Sequence, residues 1–193
     1  MQKRAERQRR FCPGQFRAIE ESGKRYIEGY FAVFGDVYQM CPGASESIDP
    51  GAFEGQLDND VRCLINHEAR LVLGRTKAGT LQLRVDAHGL WGRVEINPDD
   101  ADAMSLYARV QRGDVDQCSF GFEILEERTE IDEATGSVHW VILKVRLWEV
   151  SIVTFPAYEQ TSVKARVAQY EEIRTRRVEA WREQQKARMN KWH

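Results

Sequence analysis

The stretch VDQCSFGFEIL, residues 115–125, alternates in the way that a half-buried β-strand does. With a side-chain period of two, Phe120 and Phe122 fall on one face, whereas Ser119 and Gly121 fall on the other. The pattern therefore predicts a strand that turns its aromatic side chains towards a core and its serine away from it.

Other segments rich in β-branched and aromatic residues lie on both sides of this strand. They cover residues 26–34, 61–67, 71–76, 80–85, 90–96 and 138–155. Residues 37–47 have no clear period and contain Pro42-Gly43, which indicates a loop. Short strands joined by tight turns favour an antiparallel barrel or sandwich over a parallel sheet.

Three helical segments interrupt or follow these strands. Asp49-Pro50 has the N-cap and first-position residues of a short helix. Asp99 is the expected cap of a second helix that runs to about Arg112, with Gly113 as its stop. From Tyr158 the chain is charged and helical in pattern. The expected fold is mainly β with inserted helices, an α+β class, and about seven strands.

Charge is unevenly distributed along the 193 residues. Residues 1–10 hold five Lys or Arg against one Glu, and residues 164–193 hold nine against four, although the whole chain is close to −2. We expect a flexible basic arm at 1–16, one β domain at 17–163 and a charged helical tail at 164–193. The basic ends are compatible with exposure to solvent and with binding to an acidic partner. Nucleic acid is not indicated, because few aromatic residues interleave the charges.

Targeting and redox features are sparse. The sequence has no run of 18 apolar residues, so no membrane-spanning helix is expected. The basic N-terminus is not followed by an apolar segment, unlike a secretory signal. The four cysteines are widely spaced, which favours reduced thiols in a cytosolic protein over a disulfide framework.

Ser119 is the first candidate for chemistry. A serine hydroxyl is not ionised at neutral pH, so a nucleophilic serine needs a base, and the base needs a group that holds it. Of the four histidines, only His67 is predicted where a strand leaves an apolar row. His67 is therefore the best candidate base, although a hydrogen-bonded structural histidine fits the same pattern.

Glu149 is the candidate third group. In the predicted strand 138–155 it shares a face with Val145 and Leu147 by period two, so its carboxylate should be partly buried and needs a partner. The imidazole of His67 is one possible partner. An ordinary ion pair with Arg146 or Arg93, or backbone N–H groups, would serve as well.

Other chemistries have weaker support. Cys118 could replace Ser119 as nucleophile, but it has the parity of Phe120 and should point into the core. Leu71 stands where the H-E-x-x-H zinc motif needs its second histidine after His67. No G-x-S-x-G elbow is present, so an α/β-hydrolase is not indicated. We expect no metal and no cofactor.

Several blocks, in order and spacing, resemble the prohead proteases of tailed bacteriophages and, more distantly, the herpesvirus assemblins. The blocks are GYFAVFG (29–35), IDPGAF (48–53), NHE (66–68), LGRT (73–76), GTL (79–81), SFGF (119–122), EVSIVT (149–154) and PAY (156–158). The resemblance covers roughly residues 26–163.

The resemblance implies an antiparallel β-barrel of the assemblin type with a charged C-terminal helix, a homodimer and a serine endopeptidase. It makes Ser119 the nucleophile, His67 the general base and Glu149 the third member, with an oxyanion hole near residues 156–158. The implied substrates are the scaffold, the scaffolding segment of the major capsid protein and the protease itself. The implied place of action is the assembling procapsid in the host cytoplasm, or the bacterial cytoplasm for a prophage.

Two other classes remain open at this point. One is a non-enzymatic capsid-assembly module that keeps the fold and only binds shell or scaffold. The other is a metal-dependent hydrolase.

Overall fold

The computed structural model describes residues 8–12, 16–155 and 160–189 and shows a mainly β fold with two α-helices. The strands are β1 (Gln8–Cys12), β2 (Arg17–Glu21), β3 (Lys24–Val33), β4 (Tyr38–Cys41), β5 (Ala44–Ile48), β6 (Arg62–Ile65), β7 (Glu68–Arg75), β8 (Leu81–Val85), β9 (Gly89–Ile96), β10 (Gln117–Ile131) and β11 (Val138–Val153). The α-helices are α1 (Ala101–Arg112) and α2 (Gln160–Met189), and short 3-10 helices cover Pro50–Phe53 and Thr76–Ala78.

The strands form two sheets. The smaller is antiparallel, in the order β2-β3-β9-β8. The larger has seven strands and centres on β11, which pairs with β10 on one edge and with β5 and β6 on the other. The α+β class is therefore as predicted. The sheets do not close into a barrel, so the expectation of an antiparallel β-barrel is not met.

The larger sheet is mixed because β5 and β6 both run parallel to β11. β5 pairs with residues 138–142 of β11 and β6 pairs with residues 149–152, so the two short strands lie end to end along one edge. The chain leaves that edge at Asp49, whose N–H donates to Ile142 O at 2.9 Å, and returns to it at β6. Parallel pairing normally needs a crossover. Here no crossover is needed between β5 and β6, because both pair with the same edge of β11. The segment between them only leaves that edge and returns to it.

Aromatic side chains fill the space between the elements. Phe120 and Phe122 of β10 stack with ring centroids 4.9 Å apart, and Phe53 meets Phe120 edge-on at 5.7 Å. Phe53, Phe120, Phe122 and Trp140 are all essentially inaccessible to solvent. Such pairs add about 0.5–1.5 kcal/mol beyond the area they bury. The core face predicted for residues 115–125 is confirmed.

The loop predicted at 37–47 is wrong, because these residues form the hairpin β4–β5 around Pro42-Gly43. Ala44, Glu46 and Ile48 alternate inward and are buried. Glu46, at the centre of that row, is charged. The sequence therefore lacks the alternation of apolar and polar residues that indicates a strand. Glu46 is accommodated because it pairs with two buried arginines, Arg10 and Arg166.

The N-terminal arm expected at 1–16 is in part a strand. β1 pairs antiparallel with β10, and Arg10 is buried against Glu46. The floppy arm expected for Met1 to Arg10 is therefore wrong for residues 8–10, while residues 1–7 lie outside the described ranges.

The helices follow their predicted caps closely. The cap of α1 is Asp100, one residue later than predicted, and Gly113 ends this helix with φ of 85°. The first half of α2 packs on the core through Val163, Tyr170 and Ile173, whereas Trp181 in its second half is exposed. In the part of the chain that the structure describes, no helix has the length and apolar content to cross a membrane.

Candidate active site

The pairing of β10 with β11 places four small or polar residues on one face of the sheet. Ser119 lies opposite Ser151, and Gly121 lies opposite Glu149. Directly opposed residues of an antiparallel pair point to the same side. The face opposite to Phe120 therefore presents the candidate nucleophile and the candidate carboxylate together.

A β-bulge sets the side on which Glu149 lies. The register shifts between Gly121 and Phe122, so that Gly121 faces Glu149 while Phe122 faces Leu147, and Trp148 is the extra residue. An extra residue reverses the alternation beyond it. The prediction that Glu149 shares a face with Val145 and Leu147 is therefore wrong, because those two side chains point into the core.

His67 lies in a hairpin turn rather than at the end of a strand. Ile65 pairs with Glu68, so Asn66-His67 is the two-residue loop between β6 and β7. Both residues have positive φ, 50° for Asn66 and 60° for His67, as a type I′ turn requires. Such a backbone is disfavoured for a residue with a side chain, by about 1–2 kcal/mol each. The turn brings the imidazole back over the sheet.

A chain of hydrogen bonds joins the turn to β11. His67 Nδ1 lies 2.6 Å from Glu149 Oε1, and Ser151 Oγ donates to Glu149 Oε2 at 2.6 Å. The side chain of His67 is 4% exposed and that of Glu149 is 14% exposed. The carboxylate accepts through both of its oxygens, so its burial is compensated. With Nδ1–H donating to Glu149, Nε2 is the atom left to act as a base.

Gly121 makes room for this carboxylate. A Cβ built on residue 121 would overlap Oε1 of Glu149 and would lie 3.0 Å from its Cδ and Cγ. Glu149 therefore rests directly on the backbone of β10. A glycine is needed here because a side chain would occupy the position of the carboxylate.

One polar atom of each candidate residue lacks a hydrogen-bond partner among the described residues. Ser119 Oγ and His67 Nε2 are both buried and unpaired among the residues that the structure describes, and no hydrogen bond joins them to each other. Ser119 is 0% exposed. Buried polar atoms without a partner are uncommon, and a catalytic role is one of several explanations for them.

Asn66 anchors the turn to the end of β11. Its side-chain Oδ1 accepts from Thr154 N at 2.9 Å, and its backbone N–H donates to Ile152 O at 3.0 Å. Sequence reasoning missed both Asn66 and Ser151 as parts of the site. The available signals were an asparagine at a two-residue hairpin position and a serine two residues after Glu149.

Cys118, Cys63 and His139 have other surroundings. Cys118 is on the core face, where its Sγ lies 3.1 Å from Tyr30 O. Burial, and then the charge of Glu149, raises the pKa of Cys63 far above its ordinary range. His139 is held between the hydroxyls of Ser45 and Ser47 at 2.8 Å each.

The remaining expectations concern metals, ion pairs and the oxyanion hole. Among the described residues, no group of three His, Cys, Asp or Glu side chains could hold a metal ion. Arg146 pairs with Glu123 and Arg93 with Glu21 and Glu28, so Glu149 has neither of the arginine partners considered for it. The oxyanion hole expected near residues 156–158 lies outside the described residues.

Comparison with known proteins adds a family to this geometry. The family model described as caudovirus prohead serine protease matches residues 14–176. The prohead protease of Enterobacteria phage HK97 is 31% identical over 142 residues, which is 72% of this chain and 60% of that protein. The chain thus spans about 60% of the length of that relative.

Among solved structures, the bacteriophage T4 capsid assembly protease is similar with a TM-score of 0.45 and 14% identity. The similarity covers 77% of this chain and 98% of that one. Since the family model matches most of the chain, the protein belongs to the caudovirus prohead serine protease family.

Proposed function

We propose that this protein is a serine endopeptidase that cleaves precursor proteins during phage head maturation, with Ser119 as nucleophile, His67 as general base and Glu149 as the group that orients the base. The observation that carries the proposal is the 2.6 Å contact between His67 Nδ1 and Glu149 Oε1, on the sheet face that also holds Ser119. Membership of the prohead serine protease family supports the same chemistry.

The reaction is acyl transfer to serine. Ser119 Oγ attacks the carbonyl carbon of the scissile peptide while His67 Nε2 takes the hydroxyl proton. The imidazolium then gives that proton to the leaving amine, and water hydrolyses the acyl-enzyme with His67 again as base. Glu149 accepts from Nδ1–H throughout, so it fixes the tautomer of His67 and stabilises its positive charge.

The proposed substrates are the scaffold, the scaffolding segment of the major capsid protein and the protease itself. The name of the HK97 relative, prohead protease, supports a substrate within the immature head. The corresponding place of action is the assembling procapsid in the host cytoplasm. We also propose a homodimer, which light scattering of the purified chain would test.

Co-expression with the capsid precursor tests the activity. Ser119→Ala should abolish processing on a denaturing gel and leave the thermal unfolding temperature close to that of the wild type, because one hydroxyl without a partner is removed. Ser47→Ala is the matched control, since Ser47 is a strand serine bonded to the unrelated His139. Normal processing by the Ser119 variant would contradict the proposal.

The complete burial of Ser119 favours one alternative, a non-enzymatic assembly module on the same fold. A module of that kind would bind scaffold or shell without cleaving it. Under this alternative the wild type and Ser119→Ala would both leave the precursor intact, and the same co-expression assay separates the two functions.

A further inference from the structure

Ser151 is a buried hydroxyl in contact with the proposed catalytic carboxylate. It is 0% exposed, and its Oγ donates to Glu149 Oε2 at 2.6 Å. It also lies directly opposite Ser119 in the β10–β11 register. The proposed roles of Ser119, His67 and Glu149 leave this residue without a function.

The two oxygens of Glu149 are divided between two partners. Oε1 faces His67 Nδ1, and Oε2 accepts from Ser151. On its remaining side the carboxylate rests on the backbone of Gly121. A carboxyl group turns easily about its last side-chain bond. With Ser151 and Gly121 in place, the orientation that directs Oε1 at the imidazole is the one that satisfies both oxygens.

We propose that Ser151 is a positioning residue for the protease reaction, which holds the Glu149 carboxylate against His67 by its hydrogen bond to Oε2. The inference rests on the proposed function. Ser151 touches neither substrate nor the reacting atoms, and it acts through Glu149. Without its hydroxyl, Oε2 lacks a donor in a buried position, and the carboxylate gains by turning towards water.

Charged or titratable residues of the neighbouring strands also face this part of the sheet. Arg62 lies opposite Glu149 on β6, but its guanidinium donates to Asp60 Oδ2 at 3.2 Å and to Asp60 O at 3.0 Å. Arg9 of β1 lies opposite Gly121. Cys63 of β6 is a buried thiol whose pKa is raised by burial and by Glu149.

Three substitutions at residue 151 separate the hydroxyl from the space that it fills. Ser151→Ala removes the donor, while Ser151→Thr and Ser151→Val have nearly the same shape and differ in the hydroxyl. The full chain is assayed with a capsid-precursor cleavage-site peptide for kcat, KM and the pH profile of kcat/KM. Ser119→Ala is measured alongside.

The Ala and Val variants should lose kcat by about 10- to 100-fold with KM changed little, because the loss falls on the orientation of the base. The acid limb of their kcat/KM profile should move to lower pH, since a carboxylate that turns away no longer stabilises the imidazolium. Ser151→Thr should keep most of the wild-type kcat, and the acid limb of its kcat/KM profile should lie at the same pH as in the wild type.

Equal rates for the Thr and Val variants, or a wild-type rate and acid limb for Ser151→Ala, would overturn the assignment of Ser151. Either result combined with an inactive Ser119→Ala would leave the proposed function intact. Turnover by Ser119→Ala would instead overturn the proposed function itself.

Discussion

His67 Nδ1 and Glu149 Oε1 lie 2.6 Å apart, although the two residues are separated by 82 positions in the chain. The contact links the β6–β7 hairpin turn to the strand next to that of Ser119. Both side chains are largely buried, so the interaction is little screened by solvent. This geometry gives the imidazole one orientation and one tautomer.

Glu149→Gln tests the need for that carboxylate. The amide keeps the shape but can present N–H to His67 and cannot stabilise the imidazolium, so kcat should fall by about 10²- to 10⁴-fold. This fall in kcat is measured by steady-state cleavage of a precursor peptide. Glu123→Gln is the control, because Glu123 is a carboxylate of β10 that pairs with exposed Arg146. An unchanged rate for Glu149→Gln would make Glu149 a structural residue.

Gly121→Ala tests the packing of the carboxylate. The new Cβ would overlap Glu149 Oε1, so the carboxylate must move away from its contact with His67. We expect kcat to fall by about tenfold or more, since a displacement of about 1 Å in a catalytic group can cost 10²-fold. Gly51→Ala is the control for replacing a glycine, because Gly51 has no positive φ and its Cβ would meet only the side-chain oxygen of Asp49, at 3.2 Å. Full activity of Gly121→Ala would show that the site tolerates another position of Glu149.

Asn66→Gly tests the anchor of the hairpin turn. Glycine accepts the φ of 50° without strain, so the fold should be kept, but the hydrogen bond from Thr154 N to Oδ1 is lost. The turn that carries His67 should then be less fixed, and kcat should fall several-fold while the unfolding temperature changes by only a few degrees. A wild-type rate would mean that the backbone of the turn alone is sufficient to place the imidazole.

Much of this site was predictable because it depends on residue type and strand period. The alternation in residues 115–125 separates Ser119 from Phe120 and Phe122, and the core face of the strand follows that pattern. Strand period made Ser119 and His67 candidates, and their roles were assigned through the family resemblance. The expected place of His67 at the end of a strand was wrong, because it lies in the β6–β7 turn.

The rest was not predictable because it arises from pairing between distant strands. The bulge at Trp148 depends on the register of β11 against β10. It places Glu149 on the face of the sheet opposite to the one that a strict period of two predicts. The left-handed backbone of Asn66-His67 depends on where β6 and β7 pair. The strand at residues 44–48 was hidden because Glu46 is an inward-facing charge, and its arginine partners lie 36 and 120 residues away.

The buried pairs of Glu46 predict a pH dependence of stability. Burial alone would raise the pKa of Glu46, but the charges and hydrogen bonds of Arg10 and Arg166 outweigh it and hold the pKa below the ordinary value of 4.5. A carboxyl with a lowered folded-state pKa contributes stability that is complete above its unfolded-state pKa. That contribution is lost as the pH falls from about 4.5 through the folded-state value.

Glu46→Gln should therefore weaken the acid-induced loss of stability and lower the free energy of unfolding near neutral pH by roughly 3–5 kcal/mol, because two buried arginines lose their common partner. Urea unfolding of both proteins across the acid range measures the two effects. Glu95→Gln is the control, since Glu95 pairs with Lys24 on the surface and should change stability little. Parallel pH profiles for the wild type and Glu46→Gln would contradict this account.

Covalent labelling of Ser119 tests the central claim most directly. The full chain is treated with a fluorophosphonate, and the modified peptide is located by mass spectrometry. We predict one label, on Ser119, that is lost in His67→Ala and kept in His139→Ala, whose ring is hydrogen-bonded to Ser45 and Ser47 of β5. Absence of label on Ser119, or unchanged labelling in His67→Ala, would contradict the assignment of Ser119 and His67 as nucleophile and base.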